Sequence, residues 1–483
     1  MSSASPLSLL RRRLLAASLA GTFLHEAAAR GTLRNLPGFD IIIAGAGGAG
    51  LAAAVSAAEN GASVLVLEKE AAPGGNTLIA SGYYSAPAPK RQIPEDILDD
   101  WQRFEADILE NAGPTADRAR IRRFAREAGM TLEWLEAHGM RFSPRIYTVS
   151  GEHFPRASKP LMPNGSGYIR TLLDHANRLG VKIRCGASVV RLLSEDGTVR
   201  GVEVRSEGAA PERFCARKGV LIASGGYAAS EAMISEFAPR FANLTHNNAP
   251  GITGEMLLAA RAAGAALVDM EKIQCQPGSP PGRSHRVRLH NEVDRFILVG
   301  PDGRRFVRED ARRDILRDRV LALPRQTAFA VVDDEGLRSY NVLIQKETVW
   351  GVETGDAFVA RSIPELARAM GMPPEALSET IQRYNDGIEI QRDAFGKNLV
   401  RASRIATPPF WGCYAGMTRH ACQGGIRVDA WSRVLRPDGS VIPGLYAAGE
   451  AAGSLHGDNQ MGGNGLSDCL TFGRLAGADI ARL

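Results

Sequence analysis

Three glycines and one carboxylate in the first part of the sequence have the types and the spacing of a dinucleotide-binding site. Gly45, Gly47 and Gly50 form a GxGxxG pattern, and Glu68 follows 18 residues after the last of them. Glycines lack side chains, so the backbone can approach a pyrophosphate at the start of a helix, and a carboxylate can accept the hydroxyl groups of a ribose. The pattern alone does not distinguish NAD from FAD.

The elements that would position these residues form a βαβ unit. An apolar run at 41–44 precedes the glycines, an alanine-rich helical pattern follows them, and a second apolar run ends at Glu68. Strand, glycine turn, helix, strand and acid in this order are a strong fingerprint of a Rossmann-like α/β domain.

Three further segments favour FAD over NAD. Asn76 and Thr77 follow the second strand in a Gly-Gly-Asn-Thr turn, the apolar run 219–226 ends in a glycine pair, and Glu450 precedes a helix predicted to begin around Asn464. The amino terminus of such a helix would direct its N–H groups and positive dipole at the flavin carbonyl. Each segment alone is also compatible with a tight turn, but together they favour FAD.

Five sequence motifs follow one another between about Phe39 and Leu483. They are DIIIAGAGGAGLAAA, LEKEAAPGGNT, GRRFVREDARRD, VIPGLYAAGE and HGDNQMGGNGLSDCLTFGR. In these motifs the sequence resembles the flavoprotein subunit family of fumarate reductase and succinate dehydrogenase, which has an FAD-binding domain of type 2. It is most similar to the soluble periplasmic fumarate reductases and flavocytochrome c relatives.

This resemblance implies an α/β fold in which a Rossmann-like FAD-binding domain, 38–249 and 401–483, is interrupted by a smaller α+β capping domain at 250–400. Strand-like runs at 296–299 and 329–332 and a helical pattern at 363–370 are expected in the cap.

The motifs and the resemblance also imply where FAD is held. The predicted contacts are Gly45, Gly47, Ala49, Gly50, Glu68, Asn76, Thr77, Gly82, Val189, Ala421, Glu450, Gly465 and Leu466. The flavin-attaching histidine of the membrane-bound relatives has no equivalent around Asn76, so the FAD is predicted to be non-covalent. The six cysteines show neither CxxC nor CxxCH spacing, and no metal site is predicted.

The resemblance places the family's proton-donating arginine on Arg313, in GRRFVREDARRD. The implied reaction delivers a hydride from the reduced flavin to one alkene carbon and a proton from Arg313 to the other. Arginine is an unusual acid because its pKa lies above 12, but a strongly basic substrate carbanion in a water-poor site can take its proton. On composition alone, an arginine in this charged run would be a surface residue.

The substrate-binding positions depart from the family. His420, in TRHACQGG, matches a histidine that hydrogen-bonds the substrate carboxylate, whereas Gln276 replaces a histidine before proline and Gln460 replaces the arginine of HGANR. A glutamine carries no charge and cannot replace a bidentate arginine. The predicted substrate is therefore another activated alkene, such as a monocarboxylate or an aryl or heteroaryl acrylate, instead of fumarate.

Two other functions fit the same cofactor site. One is a dehydrogenase resembling the 3-ketosteroid dehydrogenases, although those work with tyrosines and Arg313 argues against it. The other is a non-catalytic flavoprotein that carries electrons, and the joint presence of Arg313 and His420 argues against that.

Residues 1–29 have the order of an export signal. Arg11, Arg12 and Arg13 precede an apolar run of eleven residues, and Ala27 begins a run of three alanines. The arginines resemble the twin-arginine (Tat) signal, which predicts a periplasmic protein exported in the folded state. Eleven apolar residues fall short of the roughly 20 that span a bilayer, so no integral membrane segment is predicted.

The net charge and the lack of cofactor-attachment motifs indicate which binding partners to expect. The chain has 483 residues and a net charge of +5, which gives no reason to expect nucleic acid. It has neither a haem-attachment motif nor a recognisable flavin-mononucleotide attachment segment. An external electron donor is therefore expected, either a cytochrome c or a quinol-linked protein of anaerobic respiration.

Overall fold

The computed structural model describes Leu33 and residues 36–283, 287–290 and 292–483. The predicted signal at 1–29 lies outside the described residues. The strands are β1 (Gly38–Ala44), β2 (Val64–Leu67), β3 (Tyr84–Ser85), β4 (Phe142–Tyr147), β5 (Ala157–Pro160), β6 (Lys182–Arg184), β7 (Ala187–Glu195), β8 (Thr198–Ser206), β9 (Glu212–Ile222), β10 (Leu267–Val268), β11 (Ile273–Gly278), β12 (Ile297–Val299), β13 (Ala328–Val332), β14 (Ala357–Ala360), β15 (Phe410–Cys422), β16 (Gly425–Ile426), β17 (Arg433–Leu435) and β18 (Val441–Ala447).

The α-helices connect these strands in the same chain order. They are α1 (Gly48–Glu59), α2 (Gly75–Ile79), α3 (Pro89–Gln92), α4 (Trp101–Ala112), α5 (Arg118–Ala137), α6 (Ser166–Arg178), α7 (Glu231–Phe237), α8 (Glu255–Ala262), α9 (Arg313–Leu321), α10 (Asp334–Ser339), α11 (Val342–Thr354), α12 (Ile363–Ala369), α13 (Pro374–Glu389) and α14 (Asn464–Ala481).

The largest sheet has five parallel strands in the order β18, β9, β1, β2 and β6. The β7–β8 hairpin pairs antiparallel beside β9, and β17 pairs antiparallel with β18. Ile42 of β1 lies in register with Leu65 of β2 and Val220 of β9, and all three side chains are buried. The carboxyl ends of the parallel strands meet at one edge, which is where open α/β sheets bind ligands. The predicted α/β fold is confirmed.

Helices α1 and α14 cross in close contact beside this sheet. A Cβ added at Gly473 or Gly477 of α14 would overlap with the carbonyl oxygens of Ala49 and Ala53 of α1. Helix α1 is rich in alanine and nearly all of its residues are buried. Small residues on both helices therefore let α14 pack closely against α1.

A second sheet is antiparallel, with the order β11, β15, β13 and β12, and β14 also pairs with β15. Strand β15 pairs with β13 through its first half and with β11 through its second half. Strands β12 and β13 and helix α12 cover the runs predicted at 296–299, 329–332 and 363–370. Because β15 follows residue 400, this sheet draws on both sides of the predicted cap boundary, and the domain limits remain a prediction.

The structure also shows the state of the cysteines, and whether the described residues form a metal site or a membrane-spanning helix. All six cysteines are free thiols, and four of them are buried. Within the described ranges, no group of three or more metal-binding side chains comes together. Over the same ranges, no helix has the length and apolar character needed to cross a membrane.

Candidate active site

A cavity of about 880 Å³ is lined by residues from the parallel and the antiparallel sheets. It brings together the predicted catalytic and substrate-binding residues Arg313, His420, Gln276 and Gln460. Most of the predicted cofactor contacts also line it, namely Gly45, Gly47, Ala49, Glu68, Asn76, Thr77, Val189, Ala421, Glu450, Gly465 and Leu466. Residues that are distant in the sequence therefore share one cavity.

Two of the predicted cofactor contacts do not line this cavity. A Cβ at Gly50 would overlap with the carbonyl oxygen of Gly45, and a Cβ at Gly82 would lie 2.5 Å from the carbonyl oxygen of Asn164. Gly82 also has a φ of +91°, which favours glycine. In this structure both residues permit close backbone packing, and their predicted contacts with FAD have no support from the geometry.

The turn before α1 can hold a pyrophosphate. Gly45 has a φ of +108°, and a Cβ there would lie 2.5 Å from the Ala223 carbonyl oxygen, so the position requires glycine. The Gly48 amide donates to Thr77 Oγ1 at 3.0 Å, which fixes the turn. The amides of Gly47 and Ala49 donate to no acceptor among the described residues. They are available to phosphate oxygens at the helix amino terminus.

Glu68 lies at the carboxyl end of β2 and is bound to the same turn. Its Oε2 accepts a hydrogen bond from the Ala46 amide at 2.8 Å, and its Oε1 accepts one from the Glu70 amide at 2.9 Å. These bonds fix the carboxylate in the cavity wall and leave further lone pairs to accept ribose hydroxyls.

Asn76 and Glu450 form one hydrogen-bonded network across the cavity wall. Asn76 Nδ2 donates to Asn248 Oδ1 at 2.7 Å and to Glu450 Oε2 at 3.2 Å. The Ala249 amide donates to Asn76 Oδ1, and the Cys422 amide donates to Glu450 Oε1, both at 2.9 Å. Burial raises the pKa of Glu450. The network joins the short helix α2, which follows β2, to the end of β15.

Helix α14 begins at Asn464, as the sequence predicts. Gly465 and Leu466 of its first turn line the cavity, so the positive end of the helix dipole faces this cavity. A Cβ at Gly465 would lie 2.5 Å from Gln460 Nε2. A phosphate cradle, a carboxylate for ribose and a helix amino terminus together fit FAD.

Arg313 differs from the other arginines of its charged run. It is the first residue of α9 and lines the cavity, and its guanidinium makes no hydrogen bond or ion pair with any described residue. Asp314 pairs with Arg312, at 2.7 Å between Oδ2 and Nη2, and Asp310 pairs with Arg308, also at 2.7 Å. Burial lowers the pKa of Arg313 to about 10. The neighbouring carboxylates are already paired, so within this charged run Arg313 is the arginine that no described residue engages and that a ligand can use.

His420 and Gln276 lie on adjacent strands of the antiparallel sheet. His420 Nδ1 lies 3.0 Å from Asn247 Oδ1, so this amide orients the imidazole. Gln276 on β11 is in register with Thr418 on β15, two residues before His420. The sheet thus presents both side chains to the same cavity.

Gln460 lies in the loop before α14, and buried amides hold that loop. Gln274 Nε2 donates to the Gln460 carbonyl oxygen at 3.2 Å and to Asn459 Oδ1 at 3.4 Å. Asn459 Nδ2 in turn donates to Asn111 Oδ1 at 3.0 Å. The position of Gln460 is therefore set by residues of β11 and α4.

The sequence did not predict several charged residues that line the cavity. Lys69 pairs with Glu255 at 2.9 Å, and Arg288 pairs with Glu347 at 2.6 Å. His456 Nε2 lies 3.3 Å from Asp468 Oδ2. His456 stands in the HGDNQ motif, which could have identified it, whereas nothing in the sequence separates Arg288 from the other arginines of its segment.

Comparison with known proteins identifies the family. Residues 40–466 match the family described as FAD binding domain. The chain belongs to this FAD-binding family. It is 30% identical over 449 residues to the fumarate reductase (cytochrome) of Shewanella frigidimarina, covering 92% of this chain and 77% of that protein. The predicted resemblance to the fumarate reductase flavoproteins and the predicted FAD cofactor are confirmed, and whether the FAD is non-covalent remains a prediction.

A second relative is the NADH:fumarate oxidoreductase of Klebsiella pneumoniae strain 342. The two are 32% identical over 448 residues, which is 92% of this chain and 48% of the relative. The chain thus spans about half the length of that relative.

Two solved structures share the fold of this chain, and each is 26% identical to it in sequence. The open conformation of a flavocytochrome c3 fumarate reductase superposes with a TM-score of 0.77 and 26% identity, over 96% of this chain and 81% of that chain. The 3-ketosteroid-Δ4-(5α)-dehydrogenase from Rhodococcus jostii RHA1 superposes with a TM-score of 0.79 and 26% identity, over 94% of this chain and 99% of that chain. The fold therefore accompanies both chemistries that the sequence analysis considered.

Proposed function

We propose that the protein reduces the carbon–carbon double bond of an unsaturated carboxylic acid other than fumarate. The observation that carries this proposal is the guanidinium of Arg313. It lines the same cavity as the FAD-binding turn and His420, and it has no acceptor among the described residues. A half-buried cation without a partner is costly unless a ligand uses it, and an anionic substrate or a basic reacting carbon is such a ligand.

The residues of the chain divide the work of the reduction. Reduced FAD, held by the turn at Gly45 and Gly47 and by Glu68, would supply a hydride for one alkene carbon. Arg313 gives a proton to the neighbouring carbon, so the substrate gains two hydrogens and two electrons. Burial lowers the pKa of Arg313 to about 10, which makes the guanidinium a better acid than an arginine in water. His420, oriented by Asn247, donates a hydrogen bond to the substrate.

The neutral side chains of Gln276 and Gln460 favour a substrate other than fumarate. Both line the cavity, where the family has a histidine and an arginine. A hydrogen bond to a charged group contributes about 1.5–3 kcal/mol. Without such a bond to its second carboxylate, fumarate should bind roughly tenfold to a hundredfold more weakly. An unsaturated monocarboxylate avoids that loss.

The test is anaerobic reoxidation of a reduced viologen dye by the FAD-loaded protein. The panel contains fumarate, acrylate, trans-crotonate, trans-cinnamate and urocanate. Turnover of a monocarboxylate well above that of fumarate is expected. Equal or faster turnover of fumarate would contradict the proposed substrate class, and no reoxidation by any acid would contradict the reductase itself.

One observation favours a second candidate, a steroid dehydrogenase. Tyr83 lines the cavity, and the similarity to the 3-ketosteroid dehydrogenase fold covers nearly the whole chain. If this candidate is correct, a 3-ketosteroid will reduce an artificial electron acceptor in the presence of the protein, and the unsaturated acids will not reoxidise the dye. Arg313, which pairs with none of the described residues, supports the reductase, since a dehydrogenase needs a base at the reacting carbon.

We further propose that the protein is exported to the periplasm and receives electrons from a separate cytochrome c or quinol-linked protein. The arginines and the apolar run of residues 1–29 support export, and the similarity to the fumarate reductase (cytochrome) of Shewanella frigidimarina supports a cytochrome as electron donor. Replacing Arg11 and Arg12 with lysine should leave the FAD-loaded protein in the cytoplasm. Unchanged export would contradict the twin-arginine route.

A further inference from the structure

The cavity contains a second guanidinium, Arg288, that the proposed reaction does not use. Three strongly basic side chains line the cavity: Lys69, Arg288 and Arg313. Lys69 directly follows Glu68 of the predicted dinucleotide site and pairs with Glu255. Arg288 is therefore the basic side chain left over for a substrate anion once Lys69 and the proton donor are assigned.

Glu347 fixes the orientation of Arg288 through one edge of the guanidinium. Arg288 Nε donates to Glu347 Oε2 at 2.8 Å, and Nη2 donates to Oε1 at 2.6 Å. A guanidinium has a second edge, formed by Nη1 and the other hydrogen of Nη2, which can also bind a carboxylate in a bidentate manner. Arg288 Nη1 donates to no acceptor among the described residues. Arg288 can therefore donate two hydrogen bonds to a ligand through this second edge while it remains paired with Glu347.

Both partners of this ion pair stand on anchored backbone. The Tyr340 hydroxyl donates to the Leu289 carbonyl oxygen at 2.7 Å, next to Arg288. Glu347 lies within α11, whose first turn is capped by Asn341 Oδ1, 3.0 Å from the Leu343 amide. Because these contacts hold both backbones, little conformational entropy is lost when a ligand binds.

The surroundings of Arg288 determine the kind of ligand. Leu343 of the same helix contributes an apolar surface to the cavity, and Gln276 and Gln460 contribute uncharged amides. A ligand with one carboxylate and an uncharged remainder matches this lining better than a dicarboxylate does.

We propose that Arg288, oriented by Glu347, binds the carboxylate of the substrate and makes the enzyme specific for α,β-unsaturated monocarboxylates. The proposal rests on the proposed function, since it assigns a residue to the acid that is reduced. Arg288 is a substrate-binding residue in this proposal, and Glu347 is a positioning residue.

The test measures binding as well as turnover. The oxidised FAD-loaded protein is titrated with trans-cinnamate and trans-crotonate and with their methyl esters, and the change in flavin absorption is followed. In Arg288→Gln, the Kd of an acid should rise by roughly tenfold to a hundredfold, because a charge-assisted pair is lost, while the Kd of its ester should stay the same. Arg288→Lys keeps the charge without the fork, and should give an intermediate Kd.

Arg404→Gln is the matched control. Arg404 pairs with Glu389 on the surface and does not line the cavity, so this variant should bind acids and esters like the wild type. An equal change for acid and ester in Arg288→Gln, no change for either, or no binding of either acid to the wild type would overturn the proposal. If the acids bind with the expected contrast but no alkene reoxidises the dye, the proposed function fails and the carboxylate site stands.

Discussion

At the scale of single residues, Arg313 carries the proposed chemistry. Arg313→Ala should keep its FAD and visible spectrum, because the predicted cofactor-binding turn at Gly45 is fixed by Thr77 without this side chain. Turnover should fall by about 10²–10⁴, which is typical for loss of a positioned acid. Arg313→Lys should recover a small part of it. Turnover and flavin content of the purified variants test this.

The control is Arg319→Ala, on the exposed face of the same helix. It should retain both flavin and turnover. An Arg313→Ala protein with full flavin content and near wild-type turnover would exclude Arg313 as the proton donor, and His420 would be the next candidate.

The pKa of Arg313 also predicts how the rate depends on pH. Burial lowers this pKa to about 10, and only the protonated guanidinium can donate. Turnover limited by proton transfer should therefore be constant below this value and should fall as the pH rises through it. The rate is measured from pH 7 to pH 11 with the flavin content checked at each point. A rate that rises through pH 10 would contradict the assignment.

The sequence could predict Arg313 and His420 only through the family motifs, and it could not predict Arg288. The role of an arginine in a charged run depends on which carboxylates reach it, and those come from elsewhere in the fold. Arg312 and Arg308 are paired by their own near neighbours, whereas Glu347 reaches Arg288 from 59 residues away. No spacing rule in a single sequence contains that information.

At the scale of elements, the βαβ unit was predictable and β15 was not. Residues 41–44 of β1 and all of β2 are continuous apolar and buried runs, which is typical of parallel strands buried on both faces. Strand β15 mixes Gly412, Arg419 and His420 with apolar residues and is buried along most of its length without alternation. It pairs with three different strands, so tertiary pairing and not a local pattern makes it a strand.

The close contact between α1 and α14 reverses the effect on stability that a glycine-to-alanine substitution normally has in a helix. In a helix interior, glycine is normally less stable than alanine by about 0.5–1 kcal/mol, so Gly477→Ala would stabilise an isolated helix. Here the added Cβ would overlap with the Ala53 carbonyl oxygen, and overpacking of this kind typically costs about 1–3 kcal/mol. We expect a lower midpoint of denaturant unfolding.

Ala478→Gly, at the adjacent and only partly buried position, adds no Cβ and should destabilise mainly through helix propensity, by about 0.5–1 kcal/mol. If Gly477→Ala instead stabilises by a similar amount, the two helices are not in the close contact described here.

At the scale of the whole molecule, the cavity joins parts of the chain that are far apart in sequence. Its lining comes from the turn at Gly45, from the antiparallel sheet at Gln276 and His420, and from the last helix at Gly465. The motifs predicted which segments would meet, because each has a recognisable ligand-binding turn. They did not predict that β15, from beyond residue 400, would form the antiparallel sheet together with strands of the predicted cap.

Because these distant segments meet around the cofactor site, FAD should stabilise the whole fold. A ligand that binds only the native state adds about 2.7 kcal/mol when its free concentration is 100 times the Kd. Protein depleted of FAD should therefore unfold at a lower temperature, and added FAD should restore the midpoint in a concentration-dependent way. Acid precipitation of the holoprotein should release the flavin into the supernatant, since the cofactor is predicted to be non-covalent. Flavin that stays with the precipitate would show a covalent bond, and a midpoint independent of FAD would show that the cavity does not couple the segments that line it.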